Sequence, residues 1–488
     1  MSADSDQPSV LSNSLSRRGV HISTLYKSKF KSYEIYHRDK YHKVLNTSGF
    51  LNLSISENRL CTDLITERLC QSDMNYIEDV ILQYPNSTGH PFLQAAVAQF
   101  LTCYCRAPHC LSVKNVVILN GCCAVFSALA TVLCDPGDCF LVPVPFHYGF
   151  MFGSKFFAYI ELIPVYLEKQ TVLQFINADT QPLELNVRKL EQALHEARTR
   201  RKKVKGLLLT NPEKPTGDIY PKELLKEYLE FAKRHELHVV VDEIYMLSVF
   251  DESARFHSVL SLESLPDPNK THVIWSPTKD FGISGLCFGV LYTQNEDVVS
   301  AMSPFGYLHS VSGITQYKLC RLLQDRDWIN KVYLPTNRSR LWDAHAYVTE
   351  QLRQLEQQYN FKIIFHNRCS GLYMWINLKK LLEPCTFKEE LLLHRRFRNH
   401  KLILCRGRSY MFKKPGWFRL TFAENPPQLK EAMHRFGKAI EEQKQHWIEK
   451  MLKDAIEAEP GDPTVPRRAW DQMSTSTEKV DPARNSAS

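Results

Sequence analysis

The stretch that decides the fold is KGLLLTNPEKPTGDIYPKELLKEYLEFAKRHELHVVVDEIY, residues 205–245. It begins with an apolar run at 205–212 that has the length of a buried strand and runs into an Asn-Pro turn. Residues 221–235 then predict an amphipathic helix, and 238–245 form a second apolar run. The face that this helix would bury carries Leu225, Tyr228, Leu229 and Ala232. The stretch therefore predicts a strand–helix–strand unit with parallel strands.

The same pattern continues beyond this unit, because THVIWSPTKD at 271–280 predicts the next strand. Continuous apolar strands separated by amphipathic helices indicate an α/β fold with a mostly parallel sheet, covered by helices on both faces. In such sheets the chemistry gathers at the carboxyl ends of the strands. Asn211, Asp242 and Lys279 all lie at such ends. We therefore expect them to meet at one edge of the sheet.

The composition is that of a globular protein. The chain has 488 residues, of which 44% are hydrophobic and 23% are charged, which allows two or three domains. The net charge of +8 is mild, so no nucleic-acid partner is expected. The first twenty residues contain no apolar segment of a signal peptide. The 14 cysteines therefore predict reduced thiols and a cytoplasmic location.

Three local patterns each allow two interpretations. The uncharged run at 115–134 is long enough to span a bilayer, but the Asn120-Gly121 break after a β-branched segment favours a strand and a helix, so no membrane contact is expected. CYCRAPHC, 103–110, matches no common zinc spacing, which favours ordinary thiols and no metal site. The basic run RTRRKKVK, 198–205, could be a nuclear signal, but the last turn of a helix is favoured, because cations suit that end of the helix dipole.

Lys279 and Asp242 together match the needs of one cofactor. A lysine at a strand end can form a Schiff base with an aldehyde, and an aspartate at a neighbouring strand end can hold a pyridinium nitrogen protonated. These are the covalent anchor and the electron sink of pyridoxal phosphate. Taken singly, each residue is more often an ordinary surface or strand-end charge, so the combination carries the prediction.

Six motifs in order give a family resemblance. SPTKDFGISG resembles the cofactor-lysine motif of class I aminotransferases and 1-aminocyclopropane-1-carboxylate (ACC) synthases. The pattern is similar to that family over about residues 30 to 440, and SENRL and PGWFR resemble its ACC-synthase branch, including the animal ACC-synthase-like group with members labelled probably inactive. The other motifs are VVDEIY, NPEKPTG, CDPGDCFLVPVP, SENRL and KPGWFRLTF.

The resemblance implies roles for individual residues. Lys279 would bond the cofactor, Asp242 would pair with its ring nitrogen, and Tyr245 would contact its phenolic oxygen. Arg419 would clamp the carboxylate of an amino-acid substrate, for which a guanidinium is suited, and Glu57 would recognise the substrate. Further cofactor contacts are implied for Ser276, Thr278, Gly121, Cys122, Cys123, Asn211, His147 (or its neighbour Phe146) and Tyr84. Tyr84 would reach the cofactor of a partner subunit, so a homodimer is expected.

Three departures from the family pattern predict a weakened cofactor site. Cys287 stands where the family has an arginine that binds the cofactor phosphate, and a cysteine supplies no charged fork. Lys214 replaces an asparagine that donates to the ring oxygen, and it either points into the site or to solvent. Cys123, after Cys122, stands where the family has a hydroxyl that faces the phosphate.

The composition and the resemblance together predict the domain organisation. The expected parts are a disordered tail at 1–30, an N-terminal segment at 31–75 packing with the small domain, a large cofactor-binding domain at 76–330, a smaller α/β domain at 331–448, and a disordered tail at 449–488.

Two functions follow from the sequence. The first is a pyridoxal-phosphate protein that acts on an amino acid by transamination or elimination, with an eroded phosphate site and without true ACC synthase activity. The second is a catalytically inactive family member that serves as a scaffold or interaction protein. The retained Lys279 and Asp242 support the first, and the lost phosphate contacts support the second.

Overall fold

The structure is a computed structural model that describes residues 14–26, 31–147, 149–166, 168–169, 183–184, 186–366 and 370–457. The expected disorder of residues 1–13 and 458–488 lies outside the described residues. Part of each predicted tail is helical, because helices run through Arg17–Leu25 and through Pro426–Glu457. Ser16 begins the first of these helices by accepting a hydrogen bond from the N–H of Gly19.

A seven-stranded sheet forms the centre of the fold. Four adjacent pairs of its strands are parallel, and one strand, Gly289–Thr293, is antiparallel to both of its neighbours. In spatial order the strands are Val116–Leu119, Gly289–Thr293, Thr271–Trp275, His238–Asp242, Val204–Thr210, Cys139–Val144 and Glu161–Tyr166. This mostly parallel arrangement confirms the fold class that the strand–helix–strand pattern predicted.

A second, antiparallel sheet lies later in the chain. Its strands, in spatial order, are Ile364–His366, Tyr373–Asn377, Trp417–Thr421 and Cys405–Arg406. The short strand Leu51–Asn52 pairs in parallel with Leu402–Ile403, so an N-terminal segment is joined to this later part of the chain. A further antiparallel pair joins Glu168–Lys169 and Leu183–Glu184.

Helices surround both sheets. The α-helices are Arg17–Leu25, Lys31–Arg38, Thr62–Cys70, Pro91–Tyr104, Cys122–Leu133, Gly149–Gly153, Val187–Thr199, Lys222–Arg234, Pro277–Asp280, Glu296–Met302, Gly306–His309, Gly313–Gln324, Arg326–Trp328, Leu334–Tyr359, Phe387–Asn399 and Pro426–Glu457. The helix Lys222–Arg234 buries the four residues that its spacing predicted, Leu225, Tyr228, Leu229 and Ala232. Strands such as Val116–Leu119 and Thr271–Trp275 are buried along their whole length, as expected for a sheet covered on both faces.

Two predicted element boundaries are wrong. The strand at 271–280 ends at Trp275, because the Ser276 hydroxyl caps a short helix that starts at Pro277. The helix before the basic run ends at Thr199, and Arg201 has a positive φ of 56°, which breaks the helical path. Most of the basic run therefore lies beyond the helix.

The uncharged run at 115–134 is a strand and a separate helix, as its Asn-Gly break predicted. No helix in the described part of the chain is both long and apolar enough to cross a membrane. Within the same residues no cluster of histidine, cysteine, aspartate and glutamate is arranged to hold a metal ion.

Candidate active site

Three strand ends bring Asn211, Asp242 and Lys279 to one edge of the central sheet. Asp242 is the last residue of its strand, and Asn211 directly follows the neighbouring strand. Lys279 lies in the short helix Pro277–Asp280, which follows the strand Thr271–Trp275 on the other side of Asp242. The three strands are parallel, so their carboxyl ends share this edge.

Lys279 is half-buried, and its Nζ donates a hydrogen bond to the Oγ of Ser284 at 3.0 Å. The helix that carries it begins at Ser276, whose Oγ accepts from the N–H of Thr278 at 3.1 Å. Burial lowers the pKa of Lys279, and the carboxylate of Glu57 opposes this change. A lowered pKa increases the neutral fraction of a lysine, which is its nucleophilic form.

Asp242 and Tyr245 are buried and have unpartnered polar atoms. Asp242 is 4% exposed, and neither its Oδ1 nor the Tyr245 hydroxyl makes a hydrogen bond with the described residues. Burial raises the pKa of Asp242 to about 7, although Lys214, the N–H of Ile244 and Lys279 act to lower it. Buried polar atoms in native proteins nearly always have partners, so these two atoms mark a place for a polar ligand.

Lys214 points into the same pocket rather than to solvent. It is 5% exposed, and its Nζ lies 5.6 Å from the centre of the Tyr245 ring. Burial holds the pKa of Lys214 well below its ordinary value, the charges of Arg419 and Lys279 act in the same direction, and Asp242 opposes them. The sequence left open whether Lys214 points into the site or to solvent, and the structure shows that it points into the site.

Arg419 closes the pocket from the second sheet. It lies in the strand Trp417–Thr421, is 2% exposed, and places its guanidinium carbon 5.0 Å from the centre of the Tyr373 ring. Its Nη1 donates to the Oγ of Ser56 at 2.8 Å, and its Nη2 donates to the carbonyl of Ser54. Its Nε has no hydrogen-bond partner among the described residues.

Glu57, the expected substrate-recognition residue, is paired within the chain. Its Oε2 accepts from the Nη2 of Arg59 at 2.7 Å, and the Nη1 of Arg59 donates to the Oε2 of Glu424 at 2.9 Å. Sequence reasoning missed Arg59, although it belongs to the SENRL motif. It also missed Ser284, which lies five positions after Lys279 in the SPTKDFGISG motif and accepts the hydrogen bond of the Lys279 amine.

A cavity of about 1230 Å³ lies next to Ser284, the residue that accepts the hydrogen bond of Lys279. Glu57 and Ser284 line it, together with residues of the helix Leu334–Tyr359. None of Lys279, Asp242, Lys214 and Arg419 lines it. Ser284 connects this cavity to the polar pocket, because it lines the cavity and accepts the hydrogen bond of Lys279.

The helix Cys122–Leu133 begins at the same edge of the sheet. Gly121 precedes it with a φ of +119°, a conformation that favours glycine. The Sγ of Cys122 lies 3.6 Å from the Trp275 carbonyl, whereas Cys123 is exposed. The amino terminus of a helix attracts anions, and no hydroxyl side chain adds to it at 122 or 123.

Cys287 is exposed, and its backbone has the left-handed conformation, with a φ of +47°. Its Sγ lies 3.8 Å from the Ser284 carbonyl. The hydroxyls of Ser276 and Thr278 lie 2.8 Å apart, and the Oγ of Ser276 lies 2.6 Å from the Phe288 carbonyl. These two expected phosphate contacts are therefore engaged with the protein itself.

The remaining predicted residues lie in three different settings. The Nδ2 of Asn211 donates to the His257 carbonyl at 2.9 Å, and its Oδ1 accepts from the N–H of Tyr220 at 3.0 Å, so the amide is engaged in the protein. Tyr84 is fully exposed. Burial holds the pKa of His147 well below its ordinary value, and the three cations of the pocket act in the same direction.

The fold and this edge of the sheet define a class of protein. The aminotransferase class I and II family matches residues 48–436, and the chain belongs to this family. The solved structure of the aromatic aminotransferase from Pyrococcus horikoshii has the same fold, with a TM-score of 0.66 and 19% identity over 81% of this chain and 96% of that chain.

Within the family, the chain is similar to two animal proteins. It is 60% identical over 442 residues to the Homo sapiens protein named "Probable inactive 1-aminocyclopropane-1-carboxylate synthase-like protein 2", covering 91% of this chain and 76% of the relative. It is 49% identical over 431 residues to the Bos taurus "1-aminocyclopropane-1-carboxylate synthase-like protein 1", covering 88% and 84%. These similarities confirm the resemblance that SENRL and PGWFR indicated.

Membership in this family implies pyridoxal phosphate, and the pocket residues fit it. The unpartnered Oδ1 of Asp242 can accept from a protonated ring nitrogen, and the unpartnered hydroxyl of Tyr245 can donate to a ring oxygen. Lys279 can supply the amine. The helix that starts at Cys122 offers backbone N–H groups to a phosphate, and position 287 offers no cation.

Proposed function

We propose that this chain binds pyridoxal phosphate through Lys279, acts on an amino acid, and holds the cofactor phosphate weakly. One observation carries the proposal: Asp242 is a buried carboxyl with an unpartnered Oδ1 in the pocket of Lys279. A protein rarely retains such a group without use. The protonated ring nitrogen of the cofactor would supply its missing partner.

Bound pyridoxal phosphate supplies an aldehyde carbon for covalent capture and a ring that stores the electrons of a cleaved bond. Asp242 would hold the ring nitrogen and Tyr245 the ring oxygen. The Nζ of Lys279 would take the proton from the substrate α-carbon. Arg419 would bind the substrate carboxylate. Its Nε has no hydrogen-bond partner among the described residues, so a carboxylate could accept from it without displacing another group. Glu57 would face the amino-acid side chain through the adjoining cavity.

The phosphate end is the weak part of this site. An arginine at 287 would add a charged fork, and the loss of one partner from such a pair costs about 2–5 kcal/mol in comparable interfaces. This corresponds to about a thirty- to several-thousand-fold loss of affinity. The Cys287 thiol supplies no charge, and the position of Cys123 supplies no hydroxyl.

The reaction that fits these residues is transamination or elimination on an amino acid, and true ACC synthase activity is not expected. The alternative is a catalytically inactive scaffold or interaction protein. One observation favours it: Cys287 and Cys123 are thiols, so neither position offers a cation or a hydroxyl to a phosphate.

Absorbance of the purified protein separates the two functions. With added pyridoxal phosphate, the wild type should develop a visible band, and borohydride reduction should fix the cofactor on Lys279. Cys287→Arg should bind the cofactor about thirty-fold or more tightly. If neither protein develops a band, the cofactor proposal fails and the scaffold function is favoured. Amino acids that change the band would then identify the substrate.

We also propose a homodimer. Large apolar side chains are exposed on neighbouring segments, including Leu82 at 68%, Tyr84 at 102% and Leu308 at 78%. The two segments touch, since a Cβ added to Gly306 would lie 1.7 Å from the Ser87 carbonyl. A second copy of the chain would cover this face and would bring Tyr84 to the other subunit's phosphate end. Light scattering of the purified protein tests the mass.

We also propose a cytoplasmic location and the domain boundaries that the sequence predicted. The described cysteines form no disulfide with one another, which supports a reducing compartment; fractionation of cells tests it.

The central sheet lies within residues 116–293 and the second sheet within 364–421, which supports a large domain at 76–330 and a small one at 331–448. Limited proteolysis followed by mass spectrometry tests the boundaries, and stable fragments that each keep one of the two sheets intact are expected.

A further inference from the structure

Lys214 is a second buried amine in the pocket that holds Lys279. It is 5% exposed, and its Nζ lies over the ring of Tyr245 at 5.6 Å. Tyr245 itself is fully buried and leaves its hydroxyl without a hydrogen bond among the described residues. Lys214 is therefore directed at the place where the cofactor ring is expected to lie.

The loop that carries Lys214 is held tightly. The N–H of Glu213 donates to the Asp218 carbonyl at 2.7 Å, and the Thr216 hydroxyl donates to the Glu213 carboxylate at 2.7 Å. The Ser370 hydroxyl donates to the Gly217 carbonyl at 2.7 Å. The backbone is therefore fixed on both sides of Lys214, and the 5% exposure of this residue places its side chain inside the pocket.

The charges around Lys214 favour its neutral form. Arg419 and Lys279 are cations in the same pocket, and Asp242 is the nearby carboxyl that opposes them. Burial acts in the same direction as the two cations. A neutral lysine amine carries a free lone pair, which makes it a nucleophile toward a carbonyl carbon.

We propose that Lys214 is a second capture site for the cofactor aldehyde, in competition with Lys279. The amine nitrogen of Lys214 adds to the aldehyde carbon, a C=N bond forms, and the carbonyl oxygen leaves as water with the two amine protons. Lys279 donates a hydrogen bond to Ser284, so its amine keeps a hydrogen-bond partner when Lys214 holds the cofactor. This inference rests on the proposed function, because it requires that the pocket admits pyridoxal phosphate.

Peptide mapping after borohydride reduction tests the proposal on the full chain. Four proteins are compared: wild type, Lys279→Ala, Lys214→Asn, and Lys279→Ala combined with Lys214→Asn. Each receives one equivalent of pyridoxal phosphate near neutral pH, and borohydride then reduces the C=N bond to a stable amine. Asparagine is the matched replacement, because it restores the residue type of the family at this position.

We expect the cofactor to be fixed on Lys214 in Lys279→Ala and on neither position in the double variant. The exposed Lys331, whose side chain is 74% exposed, serves as the reference for labelling at the surface. Exposed lysines in general are neutral in only about one molecule in a thousand near neutral pH, so labelling of Lys214 should exceed that of Lys331 by at least about tenfold. Lys279→Met, which keeps the volume of the side chain, replaces Lys279→Ala if circular dichroism shows that the latter is unfolded.

The outcomes separate this inference from the proposed function. Wild-type labelling on Lys279 with no excess on Lys214 in Lys279→Ala would overturn the second capture site and leave the proposed function intact, with Lys214 confined to hydrogen bonding. Wild-type labelling on Lys214 instead of Lys279 would support the second site and refute the assignment of Lys279. No excess over Lys331 at either lysine in any of the four proteins would overturn both.

Discussion

Asp242→Asn should stabilise the cofactor-free protein above neutral pH, while weakening its hold on the cofactor. The Asp242 carboxyl is 4% exposed and has an unpartnered oxygen, and burial raises its pKa from 3.8 to about 7. At 1.36 kcal/mol per pKa unit, this rise corresponds to about 4 kcal/mol in the free energy of unfolding. Asparagine keeps the shape of the side chain and removes the charge.

The sign of the effect follows from proton binding. Between the unfolded pKa and the folded pKa, the folded state keeps the proton of Asp242 and the unfolded state has lost it. The free energy of unfolding of the wild type therefore falls as the pH rises through this window, and levels off above about pH 7. The advantage of the asparagine variant over the wild type should grow by up to about 4 kcal/mol between about pH 4 and about pH 8.

Urea unfolding followed by circular dichroism measures this difference at several pH values. Asp327→Asn is the matched control for the loss of a surface carboxylate, because its side chain is 85% exposed, and it should change the free energy of unfolding by less than about 0.5 kcal/mol. A difference between Asp242→Asn and the wild type that does not change with pH would refute the view that this carboxyl is buried without compensation. With pyridoxal phosphate present, the wild type should gain more stability than Asp242→Asn, since the gain grows with the affinity of the ligand.

Three further predictions concern other parts of the molecule. Arg419→Lys should abolish amino-acid-dependent changes of the absorbance band while the cofactor band remains, because a lysine lacks the bidentate fork for a carboxylate; an unchanged response to amino acids would remove Arg419 from the substrate site. Gly121→Ala should lower the free energy of unfolding by about 1–3 kcal/mol in urea titrations, because a side chain is strained at its φ of +119°. Gly285→Ala, at a position with open space and no positive φ, should change it by less than about 0.5 kcal/mol, and equal effects at both glycines would contradict the reasoning. Leu308→Asp should convert the proposed dimer to a monomer in light scattering, whereas Leu45→Asp, at a leucine that is 84% exposed elsewhere, should leave the mass unchanged from the wild type; a dimer that survives Leu308→Asp would rule out this face.

Local patterns in the sequence were sufficient for the fold class and for one edge of the site. Apolar runs of strand length and the helical spacing in 221–235 report the period of each element, and period is a local property of the chain. Because parallel strands end at a common edge, the positions of Asp242 and Lys279 at two strand ends already implied that they meet. The ends of the strand at Trp275 and of the helix at Thr199 were harder to predict from the sequence, since each depends on one capping or positive-φ residue.

The tertiary structure alone decided what surrounds these two residues. Arg419 bonds Ser56 from 363 positions away along the chain, and only the packing of the second sheet against the N-terminal segment brings them together. The inward direction of Lys214 and the exposure of Tyr84 likewise depend on contacts between distant segments. The sequence by itself determined which chemical groups this protein possesses and at which strand ends they stand. The fold decided which of them share a pocket and which are already engaged, because side-chain direction and burial are set by long-range packing rather than by local periodicity.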